Sequence, residues 1–392
     1  VNRLKPWLIA ALVVLLAFGC VLATHALLRG RIESNERLGI QRALLSALGI
    51  HEGSEARERV VSDFAARVSA SRLGEFGLWE WSENGATRGY GFEIRAKGPG
   101  GPIRAALALS ADRHTLLGLE IFEHREGDAF AESLGDAGWK ARLRGLPVFS
   151  NSAFLGVSFG EKKKGSGASP AFDELGGAIN RTLARFYAGG RVVEELDFKI
   201  SSDAVTRATP GYPKHVVKPP NLRDEVKRPA FMVPPGIRLL SIGAKVATSS
   251  PPVLGELSQL TDGVKKCGDF DIVEMGKGPQ WAQVDLGAEH PVFGICVWHS
   301  YRNAIIYNDV IVQISSDNFE SDVRTVFNND WDNSAGFGAG KDTSYYARWW
   351  GELIDTRGER LEGTTARWVR VYTAGGAGGE ETRFVEIAVY GK

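Results

Sequence analysis

The residues of this chain best suited to holding an anion form the run Gly165-Ser166-Gly167-Ala168-Ser169-Pro170. Small residues let the backbone approach a phosphate closely, and the free N–H groups and dipole of a following helix favour a negative charge there. The candidate contacts are Ser166, Gly167, Ala168 and Ser169, with the Ser169 hydroxyl where the phosphate would lie. An ordinary helix start uses the same residues: Ser169 caps, Pro170 takes the first helical position, and Asp173 and Glu174 follow in the opening turn. A second set is Trp298-His299-Ser300-Tyr301-Arg302-Asn303, where aromatic faces, a guanidinium and an amide suit sugar hydroxyls. Its candidate contacts are Trp298, His299, Tyr301 and Arg302, with Trp331, Trp349 and Trp350 as further surface aromatics. Trp281 and Trp368 lie in strand patterns and are expected in the core.

The elements that must position these residues fall into four segments. Trp7 to Leu28 carries no Asp, Glu, Lys or Arg, and its roughly 22 residues suffice to cross a bilayer core. We expect a single-pass membrane anchor over 1–30, with the bulk of the chain extracytoplasmic; a cleaved signal peptide is the alternative. Over 31–200 the pattern is α+β. Ile40, Leu44, Leu45 and Leu48 share one helical face, a second helix is expected near 56–70, and strands near 89–96, 103–110, 115–124 and 152–159. Phe172, Leu175, Ile179, Leu183 and Phe186 line a helix that starts at Pro170. The 201–236 segment is proline-rich, with seven prolines between Pro210 and Pro235, and reads as a semi-extended linker. Over 237–392 short strands near 281–286, 292–298, 309–315, 324–327, 367–372 and 384–390 predict an all-β sandwich.

Composition narrows the functions. The 392 residues hold 47 acidic and 47 basic side chains, so the electrostatic footprint of a general nucleic-acid binder is missing. Cys20, Cys267 and Cys296 form no metal-binding spacing; Cys267 and Cys296 suit either one disulfide or two separate thiols.

The block Gly89-Tyr90-Gly91-Phe92-Glu93-Ile94, the turn Lys97-Gly98-Pro99-Gly100-Gly101-Pro102-Ile103, the run Leu117-Gly118-Leu119-Glu120-Ile121-Phe122-Glu123-His124 and the Ser166–Ser169 turn together carry a resemblance. This first part resembles the FMN-carrying, membrane-anchored subunits of sodium-translocating NADH:quinone reductase and Rnf complexes. The resemblance implies FMN, covalent or non-covalent, at Ser166–Ser169, and membrane redox-complex subunits as partners. Two departures stand out. Glu126-Gly127-Asp128-Ala129-Phe130-Ala131 replaces a Glu-Thr-Pro-Gly-Leu-Gly turn, and Ser169 replaces the threonine that FMN esterifies, with Lys163 upstream where an acid is usual.

The second part, through Leu260-Thr261-Asp262-Gly263, Gln280-Trp281-Ala282-Gln283-Val284-Asp285-Leu286-Gly287, Val312-Gln313-Ile314-Ser315-Ser316-Asp317 and Glu386-Ile387-Ala388-Val389-Tyr390-Gly391, resembles discoidin domains. That implies a galactose-binding-like jelly-roll sandwich, a structural calcium held by Asp262 and Glu386, and a glycan or protein ligand. The expected whole is therefore multi-domain: a transmembrane helix, an α+β FMN-binding-like domain and an all-β discoidin-like sandwich. The expected function is extracytoplasmic electron transfer with a docking domain. The alternative is a non-catalytic envelope or complex-accessory protein whose discoidin-like domain binds glycan or protein.

Overall fold

The computed structural model describes residues 6–135, 137–150, 153–154, 157, 170–205, 218–223, 228, 230–302, 305–377 and 381–392. They form two compact units, the first from 1–72, 77–147 and 169–178 and the second mainly from 179–392.

In the first unit, helix α1 (Pro6–Ala47) runs on across the segment boundary placed at residue 30, and α2 (Arg57–Arg67) follows. A five-stranded antiparallel meander then takes the order β1 (Val68–Leu73), β2 (Phe76–Glu83), β3 (Ala86–Gly98), β4 (Gly101–Ser110) and β5 (Leu116–His124). The expected helical face is the one used: Ile40, Leu44, Leu45 and Leu48 are buried with Ala106 and Ala108 of β4. Small residues make this fit possible. A Cβ at Gly118 would lie 2.6 Å from the Ala47 carbonyl oxygen, and one at Gly91 would lie 2.7 Å from Leu44 Cδ2. The opposite sheet face carries Phe92, Ile94, Leu107 and Leu109, all buried, as strand alternation requires.

Among the described residues no helix is long and apolar enough to cross a membrane. The anchor expected over 1–30 therefore has no support there, and the side chains of residues 6–12, 20–22 and 25–26 lie outside the description. Helix α3 (Asp128–Gly135) begins within the stretch that departs from the Glu-Thr-Pro-Gly-Leu-Gly pattern, and a second short helix, α4 (Ala137–Leu143), comes after it. Helix α5 (Pro170–Tyr187) starts where expected and buries Leu175, Ile179, Leu183 and Phe186.

The second unit contains the antiparallel β-sandwich. Its long strands are β6 (Lys245–Thr248), β7 (Val273–Lys277), β8 (Gln280–His299), β9 (Ile311–Ser315), β10 (Arg324–Asn328), β11 (Glu352–Asp355), β12 (Thr364–Thr373) and β13 (Glu381–Gly391). The two strands expected over 281–286 and 292–298 are one 20-residue strand, β8. Its first half pairs with β12 and β6, its second half with β13 and β11, and the register shifts between Asp285 and His290. Gly287, at φ +82°, lies in that shift, so one strand turns the corner of the sandwich and serves both sides.

The 201–236 segment is more than a spacer. Ala204, Phe231, Met232 and Val233 are buried, and Glu194–Glu195 pairs antiparallel with Met232–Val233. Two arginines fasten this stretch. The Arg228 guanidinium lies 3.7 Å from the Phe198 ring centre and donates to the Trp350 carbonyl at 2.9 Å, while Arg357 lies 3.9 Å over Phe231. Cys267 and Cys296 are free thiols.

Candidate functional site

The outer face of β8, β9 and β12 gathers the residues best able to hold a polar ligand. Antiparallel register sets Gln283 opposite Arg370, Gln313 opposite Arg370 on its other side, and Trp281 opposite Tyr372. Residues directly opposite across an antiparallel ladder share a face. Ala282, Val284, Val369 and Val371 take the inward positions and are fully buried, which leaves Trp281, Arg370 and Tyr372 half-buried on the outer side.

Arg370 organises this face. Its Nε donates to Gln283 Oε1 at 2.8 Å and its Nη1 to the Tyr372 hydroxyl at 3.0 Å. Gln283 in turn donates from Nε2 to Asn318 Oδ1 at 2.9 Å. The guanidinium lies 4.7 Å from the Trp281 ring centre and 4.0 Å from that of Phe319, and Phe337 packs at 4.5 Å against Tyr372. The charge is held on edge by an amide and framed by aromatic rings.

Phe319 is brought there by an unusual loop. Asn318 and Phe319 have φ of +60° and +63°, a conformation that disfavours residues with a Cβ. Asp317 holds the loop in place. Its carboxylate accepts hydrogen bonds from the amides of Glu320, Ser321 and Asp322 and from the Ser321 hydroxyl, and these hold its carboxyl well below the usual range. The Ser315 hydroxyl accepts from the amide of Phe319 at 2.8 Å. Backbone strain fixed by so many bonds is a frequent property of ligand sites.

The sequence-predicted sites fare differently. Ser166, Gly167, Ala168 and Ser169 lie outside the described residues. Trp298, His299 and Tyr301 are core residues rather than an exposed platform. Trp298 is fully buried and donates from Nε1 to the Trp349 carbonyl at 2.8 Å. His299 stacks on Tyr307 with ring centres 3.9 Å apart, and burial pushes its pKa down to about 3. The Tyr301 hydroxyl donates to the Lys265 carbonyl at 2.7 Å. Of the four, only Arg302 is exposed, and it pairs with Asp269. Trp281 and Trp368, expected inside, stand half-buried on the outer face.

Asp262 and Glu386 come to the same turn, where Glu386 Oε1 is buried without a hydrogen-bond partner. Glu386 is fully buried, and its Oε2 accepts from the Gly263 amide at 3.2 Å. Asp262 is exposed, and its Oδ1 accepts from Val264 N at 2.8 Å. The Gly263 carbonyl accepts from Lys265 Nζ at 3.0 Å. Burial pushes the Glu386 carboxyl up, and the Lys265 ammonium is the strongest influence drawing it back. A divalent ion would stand beside a buried ammonium, which opposes it.

A further acidic group went unnoticed in the sequence. Asp309, Asp330 and Asp332 each bring a carboxylate oxygen within 4.8 Å of the others, a donor set that hard cations accept. The Asp330-Trp331-Asp332 spacing was its only local signal. Asp309 comes from a different loop.

No protein-family model matches the chain, and no curated protein matches it. Among solved structures it is similar to chitosan-binding module 1 of a chitosanase/glucanase from Paenibacillus sp. IK-5, with 21% identity over 39% of this chain and 99% of that one, at TM-score 0.28. It is also similar to a fucose-binding module of Streptococcus pneumoniae, with 13% identity over 40% and 98%, at TM-score 0.30. A third is the family 32 carbohydrate-binding module of Clostridium perfringens NanJ in complex with galactose, with 11% identity over 39% and 98%, at TM-score 0.30. These structures bear on the discoidin-like resemblance, while the FMN-binding resemblance finds no support among them. Likeness this weak says nothing of ligand or site, which must come from the residues of the sandwich itself.

Proposed function

We propose that this chain is a non-catalytic binding protein whose β-sandwich takes a glycan on the outer face around Arg370. The observation that carries the reading is the Arg370 guanidinium held edge-on by Gln283 and framed by Trp281, Phe319 and Tyr372. A sugar ring offers exactly two kinds of surface: C–H faces, which pack on aromatic rings, and hydroxyls, which pair with guanidinium and amide groups. Both complements stand side by side here. The test is titration calorimetry of the full chain with galactose, fucose and chitosan oligosaccharides, the sugars named for the similar modules. Arg370→Ala and Phe319→Ala should each weaken binding about tenfold or more, a loss of roughly 1.4 kcal/mol. Undiminished affinity in both variants would place the site elsewhere.

A second reading rests on one observation, that α5 begins at Pro170 directly after the expected phosphate turn. In it the 31–200 segment carries FMN at Ser169, the 1–30 segment anchors the protein in a membrane, and redox-complex subunits are its partners. Flavin fluorescence of the protein denatured after expression with a flavin transferase decides this; a colourless, non-fluorescent product ends the covalent version.

A further inference from the structure

In the sandwich, Arg223, Arg302, Arg324, Arg357, Arg367 and Arg383 each close on an Asp or Glu carboxylate. Arg370 departs from that pattern, because every hydrogen-bond partner it has among the described residues is neutral. Nε and Nη2 both donate to Gln283 Oε1, and Nη1 donates to the Tyr372 hydroxyl. Gln283 stands opposite Arg370 in the β8–β12 register, where a glutamate of the same reach would neutralise the guanidinium. The amide fixes the geometry and leaves the charge whole. It is held in turn by Asn318, which accepts from its Nε2 at 2.9 Å. A guanidinium carries more N–H donors than these bonds use, so one N–H on Nη1 and one on Nη2 remain without a protein acceptor among the described residues. Arg370 is half-buried, and Trp281 and Phe319, at 4.7 and 4.0 Å, restrain its swing. Ordering this cation is therefore largely complete before a ligand arrives.

We infer that the ligand of this face is an acidic glycan, a chain containing hexuronic acid, whose carboxylate accepts the open N–H groups of Arg370. This rests on the glycan-binding reading above and narrows it to one class of sugar. A carboxylate is planar with two acceptor oxygens, which suits a guanidinium fork, and a charge-assisted hydrogen bond is roughly twice as strong as one between neutral groups. The carboxylates beside Arg370 are already engaged. Asp285, two residues beyond Gln283, binds Arg367 at 2.7 and 3.0 Å, and Asp317 accepts from the amides of its own loop. The positive charge of Arg370 is thus left to the ligand, while the aromatic rings beside it take the C–H face of the same sugar.

The test is titration calorimetry of the full chain with oligogalacturonate and oligoglucuronate, each beside its carboxyl-reduced neutral counterpart. At least one uronate should bind about tenfold or more tightly than its neutral counterpart, and raising NaCl to about 0.5 M should remove most of that preference. Gln283→Glu places a carboxylate of the chain where it competes for Arg370. That variant should melt no lower than the parent and should lose the preference for the uronate. Neutral sugars bound as tightly as uronates, with the dependence on Arg370 and Phe319 intact, would overturn the acidic assignment and leave the glycan reading standing. Binding of neither kind of sugar would end both. A folded Gln283→Glu protein that still prefers uronates would also overturn the assignment. Should that variant fail to fold, the paired sugars and the salt series on the unsubstituted protein decide alone.

Discussion

The two β regions of this chain treat charge in opposite ways. In the first sheet, Arg104 bridges Glu93 and Glu123 at 2.9 Å each and Arg95 joins the same group, with the Arg95 side chain 72% exposed. These pairs sit at the margin of a surface packed from alanine, glycine and leucine, where Arg104 lies 5.1 Å over the Phe122 ring. In the sandwich, charged residues lie inside. Arg223 closes on Glu352, whose side chain is 5% exposed, Arg357 closes on Asp355 with its own side chain 1% exposed, and Lys265 and Glu386 are both buried. A surface pair can be lost with little consequence, whereas a buried charge deprived of its partner keeps its full desolvation cost. The first region is thus built chiefly on shape, and the second relies more on electrostatic pairing, which ties Arg223 and Met232 to the sandwich.

That contrast can be broken most directly at Arg223. Arg223→Ala should destabilise the sandwich by about 3 kcal/mol, because it leaves Glu352 buried without its counter-charge. Adding Glu352→Gln should recover most of the loss, and chemical denaturation of the four proteins of this cycle measures it. No recovery would mean that packing and not charge is at stake.

His299 sharpens the same comparison through pH. Burial pushes this imidazole down from 6.5 to about 3, so the unfolded chain takes up a proton there well before the folded one. Its contribution is complete above pH 6.5 and drains away as pH falls towards about 3. His299→Phe retains an aromatic ring against Tyr307 and should lessen the acid-side loss by roughly 2 kcal/mol at about pH 5. Unfolding curves at several pH values should show the variant and parent diverging only below pH 6.5. The smallest effect belongs to the first sheet: Arg95→Ala should change stability by no more than about 0.5 kcal/mol, and less still in high salt.

Much of the architecture was legible from pattern. Period-two alternation located β3, β4 and β5, and the spacing of Ile40, Leu44, Leu45 and Leu48 named the face that α1 buries. Strand β8 reads as two strands because Gly287 and Pro291 look locally like a break, whereas in the sandwich Gly287 lies in a register shift and Pro291 pairs with Thr365 within one strand. The binding face was hidden for a different reason. Trp281 lies in a strand pattern and so reads as core, yet its neighbours Ala282 and Val284 hold the inward phase of the alternation. Gln283 and Arg370 meet only through the β8–β12 register, and Phe319 reaches them only because Asp317 holds a left-handed loop. Trp298 and Tyr301 erred the other way, since nothing local reveals that a strand end carrying polar aromatics will be covered on both sides.

Strand β8 has one more consequence, for the order in which the molecule assembles. Its partners include β6, some 35 residues before it, and β13, the last strand described. Until β13 arrives, the Val292–His299 half lacks one of its two neighbours, and a long apolar edge of that kind invites pairing with other chains. Folding of the sandwich therefore waits on contacts of high sequence separation, which makes it slow and cooperative. A nascent or truncated chain lacking Glu381–Gly391 would expose the apolar Val292–Trp298 edge of β8, and aggregation, more than loss of binding, would be the first sign of damage there.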